Sequence, residues 1–147
     1  MGKFRFQDLK IWQFSIEIAD ELFDLADLLE RKKLYRFAEQ LRGAGMSVSN
    51  NIAEGSGSSS TREFKLFLNI ARRSAFEIAN ILILLNRRKL LEEDSLERHL
   101  DRLDYLCRQI TNFQKTLKNG HCNLPSILFD YPINCQIPLK DVLLKTK

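Results

Sequence analysis

Between Thr61 and Arg88 the chain contains neither glycine nor proline, and its apolar residues recur at helical spacing. The spacing predicts one continuous helix there, a rod of roughly 40 Å at 1.5 Å per residue. Phe64, Phe67, Ala71, Ser74, Ile78, Leu82 and Leu85 mark its core face. Such a rod buries its stripe only against partners of similar length, which points to a helical bundle. Composition agrees: 3 Pro and 6 Gly in 147 residues leave long unbroken segments. With 44% hydrophobic and 29% charged residues, the chain is expected to be one soluble globular domain.

Three further helices follow from the same periodicity. Helix 1 is predicted from Asp8, a candidate cap, to Arg31, with Leu9, Trp12, Ile16, Ala19, Phe23 and Ala26 inward. Its outer side is acidic, carrying Glu17, Asp20, Glu21, Asp24, Asp27 and Glu30. Helix 2 is predicted over Tyr35–Glu54, with Phe37, Leu41, Ala44, Val48 and Ile52 buried. Gly43, Ala44, Gly45, Ser47, Ser49 and Ala53 make it the thin helix of the set, open to close backbone approach. Helix 4 is predicted over Glu93–Leu117, striped by Leu96, Leu100, Leu103, Leu106, Ile110, Phe113 and Leu117.

Gly55-Ser56-Gly57-Ser58-Ser59-Ser60 reads as the hinge between helices 2 and 3. Gly55 is expected to end helix 2 in the left-handed conformation, and Ser60 or Thr61 to cap helix 3, with Glu63 placed for a capping box. No strand precedes this run and it lacks the lysine of a phosphate-binding loop, so a nucleotide cradle is disfavoured. Residues 119–147 form a separate tail. Pro125, Pro132 and Pro138 break any helix, while Ile127, Leu128, Phe129, Tyr131, Ile133 and Ile137 are too apolar for a solvated linker. The tail is expected to lie extended and docked on its own bundle, a sister subunit or another protein, outside a bundle domain of residues 1–118.

The side of helix 3 opposite its core is unusual. Arg62, Asn69, Arg73, Asn80 and Arg87 fall nearly in one line at 100° per residue, with Lys65 and Arg72 beside it and Arg88 at the end. Between Arg62 and Lys89 the only acids are Glu63 and Glu77. Leu66, Phe76, Ile83 and Leu84 flank the line and cannot all reach one monomer's core. An oligomer is therefore expected, with the polar line facing a shared groove or channel. The net charge of +4 permits an anionic partner.

Catalytic chemistry is hard to find. A di-iron bundle needs two Glu-x-x-His pairs, but the residues three before His99 and His121 are Leu96 and Lys118. Helical-bundle RNases place an arginine four to six residues before a catalytic histidine. Asp94 and Glu93 stand five and six residues before His99 and Glu92 seven before it, which is the wrong charge. Cys107, Cys122 and Cys135 match neither a zinc site nor a disulfide framework, so a reducing cytoplasm is expected. No metal, cofactor or catalytic residue is assigned. The N-terminus has no signal-peptide core, and the longest apolar run is too short to span a membrane.

Three segments carry a resemblance: Phe6-Gln7-Asp8-Leu9-Lys10-Ile11-Trp12, Ser47-Val48-Ser49-Asn50-Asn51-Ile52-Ala53-Glu54-Gly55, and Glu63-Phe64 through Phe67-Leu68-Asn69-Ile70-Ala71-Arg72. In order and spacing they resemble the bacterial four-helix-bundle family of the 23S rRNA intervening-sequence protein, from about Phe4 to Leu117. The chain departs from that pattern at Ser49, where the family has proline, at Arg73, where it has glycine or a small residue, and in the tail. The family is structurally similar to the accessory variability determinant of diversity-generating retroelements, a basic pentameric barrel that binds a reverse transcriptase and RNA. The resemblance implies an antiparallel up-down four-helix bundle and a homopentameric ring or barrel. Together with the residues it suggests a non-enzymatic RNA- or DNA-binding accessory protein. Arg62, Lys65, Arg72, Arg73, Arg87 and Arg88 would contact phosphates, assisted by Asn69 and Asn80. The alternative is a protein-protein scaffold that binds no nucleic acid.

Overall fold

A computed structural model describes residues 2–117, so the tail, His121, Cys122 and Cys135 lie outside the described residues. A 3-10 turn at Arg5–Asp8 precedes four helices: α1 (Lys10–Arg31), α2 (Tyr35–Gly57), α3 (Thr61–Arg87) and α4 (Glu93–Thr116). Among the described residues there is no strand. The fold is all-α, and its main contacts join α2 to α3, α1 to α2, and α3 to α4, with a lighter seam between α1 and α4.

α1 starts two residues later than the sequence suggests. Asp8 belongs to the 3-10 turn and pairs with Lys3 Nζ at 2.5 Å, and Leu9 takes the cap position without a side-chain bond. The buried stripe is also rotated: Ala19 and Ala26 are buried as expected, but Ile11, Ser15, Ile18, Leu22, Leu25 and Leu29 line the core with them, while Trp12, Ile16 and Phe23 sit at its half-buried border. The cause lies in the composition of α1, whose apolar residues cover well over half its circumference, so two stripes fit the pattern equally. Trp12 packs its ring against Phe6, with centroids 4.9 Å apart.

α2 is the thin helix expected, but its glycines act differently. Gly55 does not end the helix; it lies buried inside the last turn, and α2 runs on to Gly57. A Cβ on Gly55 would meet Phe64 Cδ2 at 2.6 Å and Phe67 Cβ at 2.7 Å. Close approach of α3, not a left-handed turn, is what requires glycine here. Gly45 serves the α1 side more loosely, where an added Cβ would stand 3.5 Å from Leu22 Cδ1 and 3.9 Å from Ala19 Cα. Ser47 Oγ lies 2.8 Å from Ser74 Oγ across the α2–α3 contact.

The left-handed positions are lysines. Lys33 (φ 61°) follows α1 and Lys89 (φ 57°) follows α3. In each turn the next residue, Leu34 or Leu90, returns its N–H to the carbonyl of Leu29 or Leu85 at 2.9 Å, closing the helix end, and its side chain packs on the core. α3 is capped as its sequence suggests: Glu63 N–H donates to Ser60 Oγ at 3.2 Å.

The α1–α4 seam is polar. His99 is buried, with Nδ1 2.6 Å from the Ser95 carbonyl oxygen. A carbonyl only accepts, so Nδ1 carries the hydrogen, and Nε2 faces Glu21 Oε2 at 3.7 Å. Arg102 lies 3.5 Å from Glu21 and 3.6 Å from Glu17, with its guanidinium 4.8 Å from the Phe14 ring centroid. Glu21 Oε2 and Arg102 Nε are buried without a hydrogen-bond partner among the described residues. Burial, ahead of the neighbouring Arg98 and Arg102 charges, pushes the His99 pKa below its ordinary 6.5, although Ser95 and Glu21 oppose this.

Three outcomes follow. Gly55→Ala should destabilise by about 1–3 kcal/mol through overpacking against Phe64 and Phe67. Gly43→Ala, where nothing lies within 4 Å of the new methyl, should stabilise by up to about 1 kcal/mol; urea unfolding measures both. Because the folded protein holds His99 neutral, the unfolded chain gains the proton first as pH falls below about 6.5. Stability should therefore decline from pH 7.5 to 5.5, and His99→Leu should flatten that decline in urea midpoints taken across this range.

Candidate nucleic-acid interface

The outer face of α3 takes the shape its sequence suggests. Arg62, Arg73, Asn80, Arg87 and Arg88 are exposed, and Lys65 is half-buried. From Arg62 to Arg87 the line spans about 38 Å at 1.5 Å per residue. It is a track and not a pocket, so it cannot gather groups around one reacting atom, but it can follow an extended polyanion. None of Arg62, Lys65, Arg73, Arg87 and Arg88 forms an ion pair among the described residues.

Three basic side chains on α2 and α4 are paired. Arg42 of α2 bridges Asp27 and Glu30 of α1, each at 2.5 Å, and its hydrogen bond holds the Glu30 carboxyl below the usual carboxylate range. Arg102 lies against Glu17 and Glu21, and Arg108 pairs with Asp104 at 2.7 Å. Carboxylates thus pair Arg42, Arg102 and Arg108, whereas Lys10, Arg31, Arg36, Arg98 and Lys115 are, like the α3 cations, in no ion pair among the described residues; what sets α3 apart is that its open cations share one line.

Arg72 and Asn69 behave differently from the rest of the line. Arg72 turns toward α4, where one guanidinium nitrogen lies 3.4 Å from Thr111 Oγ1 and another 3.2 Å from Asn69 Oδ1. Both residues are half-buried and bonded to each other, so they brace the α3–α4 contact. Lys65 shares that border: its carbonyl accepts from Gln114 Nε2 at 2.9 Å.

Large apolar side chains flank the open cations. Leu66 is 60% exposed and Phe76 68%, and Ile83 and Leu84 are also exposed. At 100° per residue Leu66 and Leu84 fall on one side of the Arg73 line, and Phe76 and Ile83 on the other. Met46 of α2 and Tyr35 at its start are exposed as well, which the periodicity did not single out. Their signal was weak: Met46 stands on a helix of small residues, outside the apolar stripe.

Among the described residues no group of three or more His, Cys, Asp or Glu side chains is placed to hold a metal, and no helix is long and apolar enough to cross a membrane. Cys107 is a half-buried free thiol whose pKa is pushed up by burial, the opposite of an activated nucleophile.

The profile of the 23S rRNA-intervening sequence protein family matches residues 7–112. Among solved structures, a protein of unknown function from the S23 ribosomal protein family of Bacteroides thetaiotaomicron is similar at 24% identity and a TM-score of 0.70. The match covers 74% of this chain and 98% of that one, and at this identity it shows the fold alone. No curated protein matches the chain.

The two adjacent arginines differ in whether they brace the bundle. Arg72→Ala should cost about 0.5–1.5 kcal/mol of stability through the loss of its hydrogen bonds. Arg73→Ala should stay within about 0.5 kcal/mol of the parent in the same chemical denaturation, as exposed unpaired residues do.

Proposed function

The chain belongs to the 23S rRNA-intervening sequence protein family, and from that premise we propose that it is a non-enzymatic, oligomeric accessory protein that binds the backbone of RNA or of an RNA/DNA hybrid. The observation that carries this reading is the row of cations on α3 without carboxylate partners, in a molecule that pairs Arg42, Arg102 and Arg108. Exposed arginines along a straight helix present their charge to successive phosphates and read no bases, so affinity comes without sequence preference. Arg62, Arg73, Arg87 and Arg88 make the phosphate contacts in this proposal, and Lys65 and Asn80 support them. Arg72 and Asn69 hold the helix in place.

Self-association is the second part of the proposal. Leu66, Phe76, Ile83 and Leu84 form an apolar border that a lone subunit leaves in water. Packing copies along this border into a closed ring, a pentamer by the resemblance above, lines the arginines along a common surface. The same resemblance extends the proposal to a reverse transcriptase as protein partner within a ribonucleoprotein.

Binding of single-stranded RNA of mixed sequence, followed across a salt series, tests this. The parent should lose affinity steeply as salt rises. Arg73→Ala with Arg87→Ala should weaken binding and flatten the log–log slope by about 0.7 for each phosphate left without its cation. Phe76→Asp should lower the mass of the assembly in solution. Unchanged binding and slope in the double variant would remove this face from the interface, and a monomeric parent would remove the ring.

A further inference from the structure

A second surface lies at the end of the bundle away from the Lys33 and Lys89 turns. The 3-10 turn and the last turn of α2 enclose a groove of about 320 Å³ lined by Phe4, Arg5, Phe6, Ala53, Ser56, Gly57 and Ser58. Phe4 is 69% exposed, yet its ring stacks on Phe6, with centroids 5.8 Å apart and planes 13° from parallel. Phe6 rests in turn on Trp12, the chain's single tryptophan. An aromatic shelf of this kind, open on one face, is half of an apolar contact.

The same end of the bundle is where the described chain stops. Phe113 of α4 packs edge-on to Phe64 at 5.6 Å, Gln114 bonds the Lys65 carbonyl, and Phe64 abuts Gly55 in the last turn of α2. Leu117, the last described residue, is 4% exposed and belongs to the core. The thirty residues that follow (118–147) can reach about 100 Å when extended, many times the roughly 10 Å width of a helix. They carry Ile127, Leu128, Phe129, Tyr131, Ile133 and Ile137 between and beside Pro125, Pro132 and Pro138. Prolines spaced six or seven residues apart disfavour one continuous helix through 125–138, and an extended apolar segment is the shape a shallow groove accepts.

We propose that the segment from Pro125 to Pro138 of this chain lies in the groove between the Arg5–Asp8 turn and the end of α2, and covers Phe4. Neither RNA binding nor ring assembly enters this proposal, since the groove and the arginine track are separate surfaces.

Trp12 reports on the contact. Truncation after Leu117 should raise the acrylamide quenching of Trp12 about twofold while the helical circular dichroism stays unchanged. Phe4→Ala in the full chain should raise it likewise, but add little in the truncated one. Adding a peptide of residues 118–147 to the truncated protein should restore protection, an outcome that holds even if truncation lowers stability. Equal quenching in full-length and truncated proteins would overturn the proposal. The native cysteines identify which copy supplies the segment. With Cys107→Ser and Ser58→Cys, mild oxidation should join position 58 to Cys122 or Cys135 within one chain, seen as monomer mass on a non-reducing denaturing gel with the pair identified by peptide mapping. A disulfide between chains, or none, would overturn docking of the chain's own segment.

Discussion

The close approach of α2 to α3 at Gly55 is the constraint on which the remaining packing depends. Phe64 and Phe67 occupy the volume that a side chain on Gly55 would need. Because Phe64 can press onto the α2 backbone, it becomes fully buried and meets Phe113 of α4 in an edge-to-face contact. One missing methyl group thus sets where α3 lies on α2 and where α4 lies on α3. Gly45 plays a looser version of the same part toward α1, so α2 is a thin spacer with a neighbour on each side. Larger residues at these points would push the helices apart and disturb the packed core.

The existence, length and order of the helices were legible because each is long and strongly periodic. Helix 3 came out within one residue at its end, with its cap as expected, since Ser60 and Glu63 are a local signal that tertiary packing has no reason to override. The phase of α1 was not legible. Its sequence is apolar on too many sides, and only the position of α2 and α4 decides that Ile11, Ile18 and Leu25 face inward in place of Trp12, Ile16 and Phe23. Gly55 failed for a related reason. A glycine near a helix end signals either a left-handed residue or a close contact, and the sequence alone does not say which. The two left-handed residues are lysines in the matching runs Arg31-Lys32-Lys33-Leu34 and Arg87-Arg88-Lys89-Leu90, where the following leucine, anchored in the core, compels the turn.

On the candidate interface, sequence reasoning located the exposed cations but not their division of labour. Angular position put Arg72 beside the line, and charge made it look equivalent to Arg73. The difference is a neighbour: Thr111 of α4 is close enough to draw Arg72 sideways, and nothing comparable stands near Arg73. Exposure of the flanking leucines and phenylalanine was readable, because α3 carries more apolar residues than one buried face can hold.

The charge asymmetry follows from how the helices are arranged. α1 and α3 each pack mainly on α2 and α4, so they occupy opposite sides of the bundle. The acids of α1 can therefore reach Arg42 on α2 and Arg102 on α4, but not the arginines across the core. A second copy could in principle bring its own α1 to that face, since the charges are complementary. The apolar border argues against that pairing. No large hydrophobic side chain is exposed on α1, so it has nothing to set against Leu66, Phe76, Ile83 and Leu84. The exposed apolar groups available in another copy's helices are on α3 itself and at Tyr35 and Met46 of α2. An association that satisfies the apolar border thus brings α3 against α2 or α3 of its neighbour, keeps the acidic helices apart from the track, and leaves the arginines open to an anion from outside.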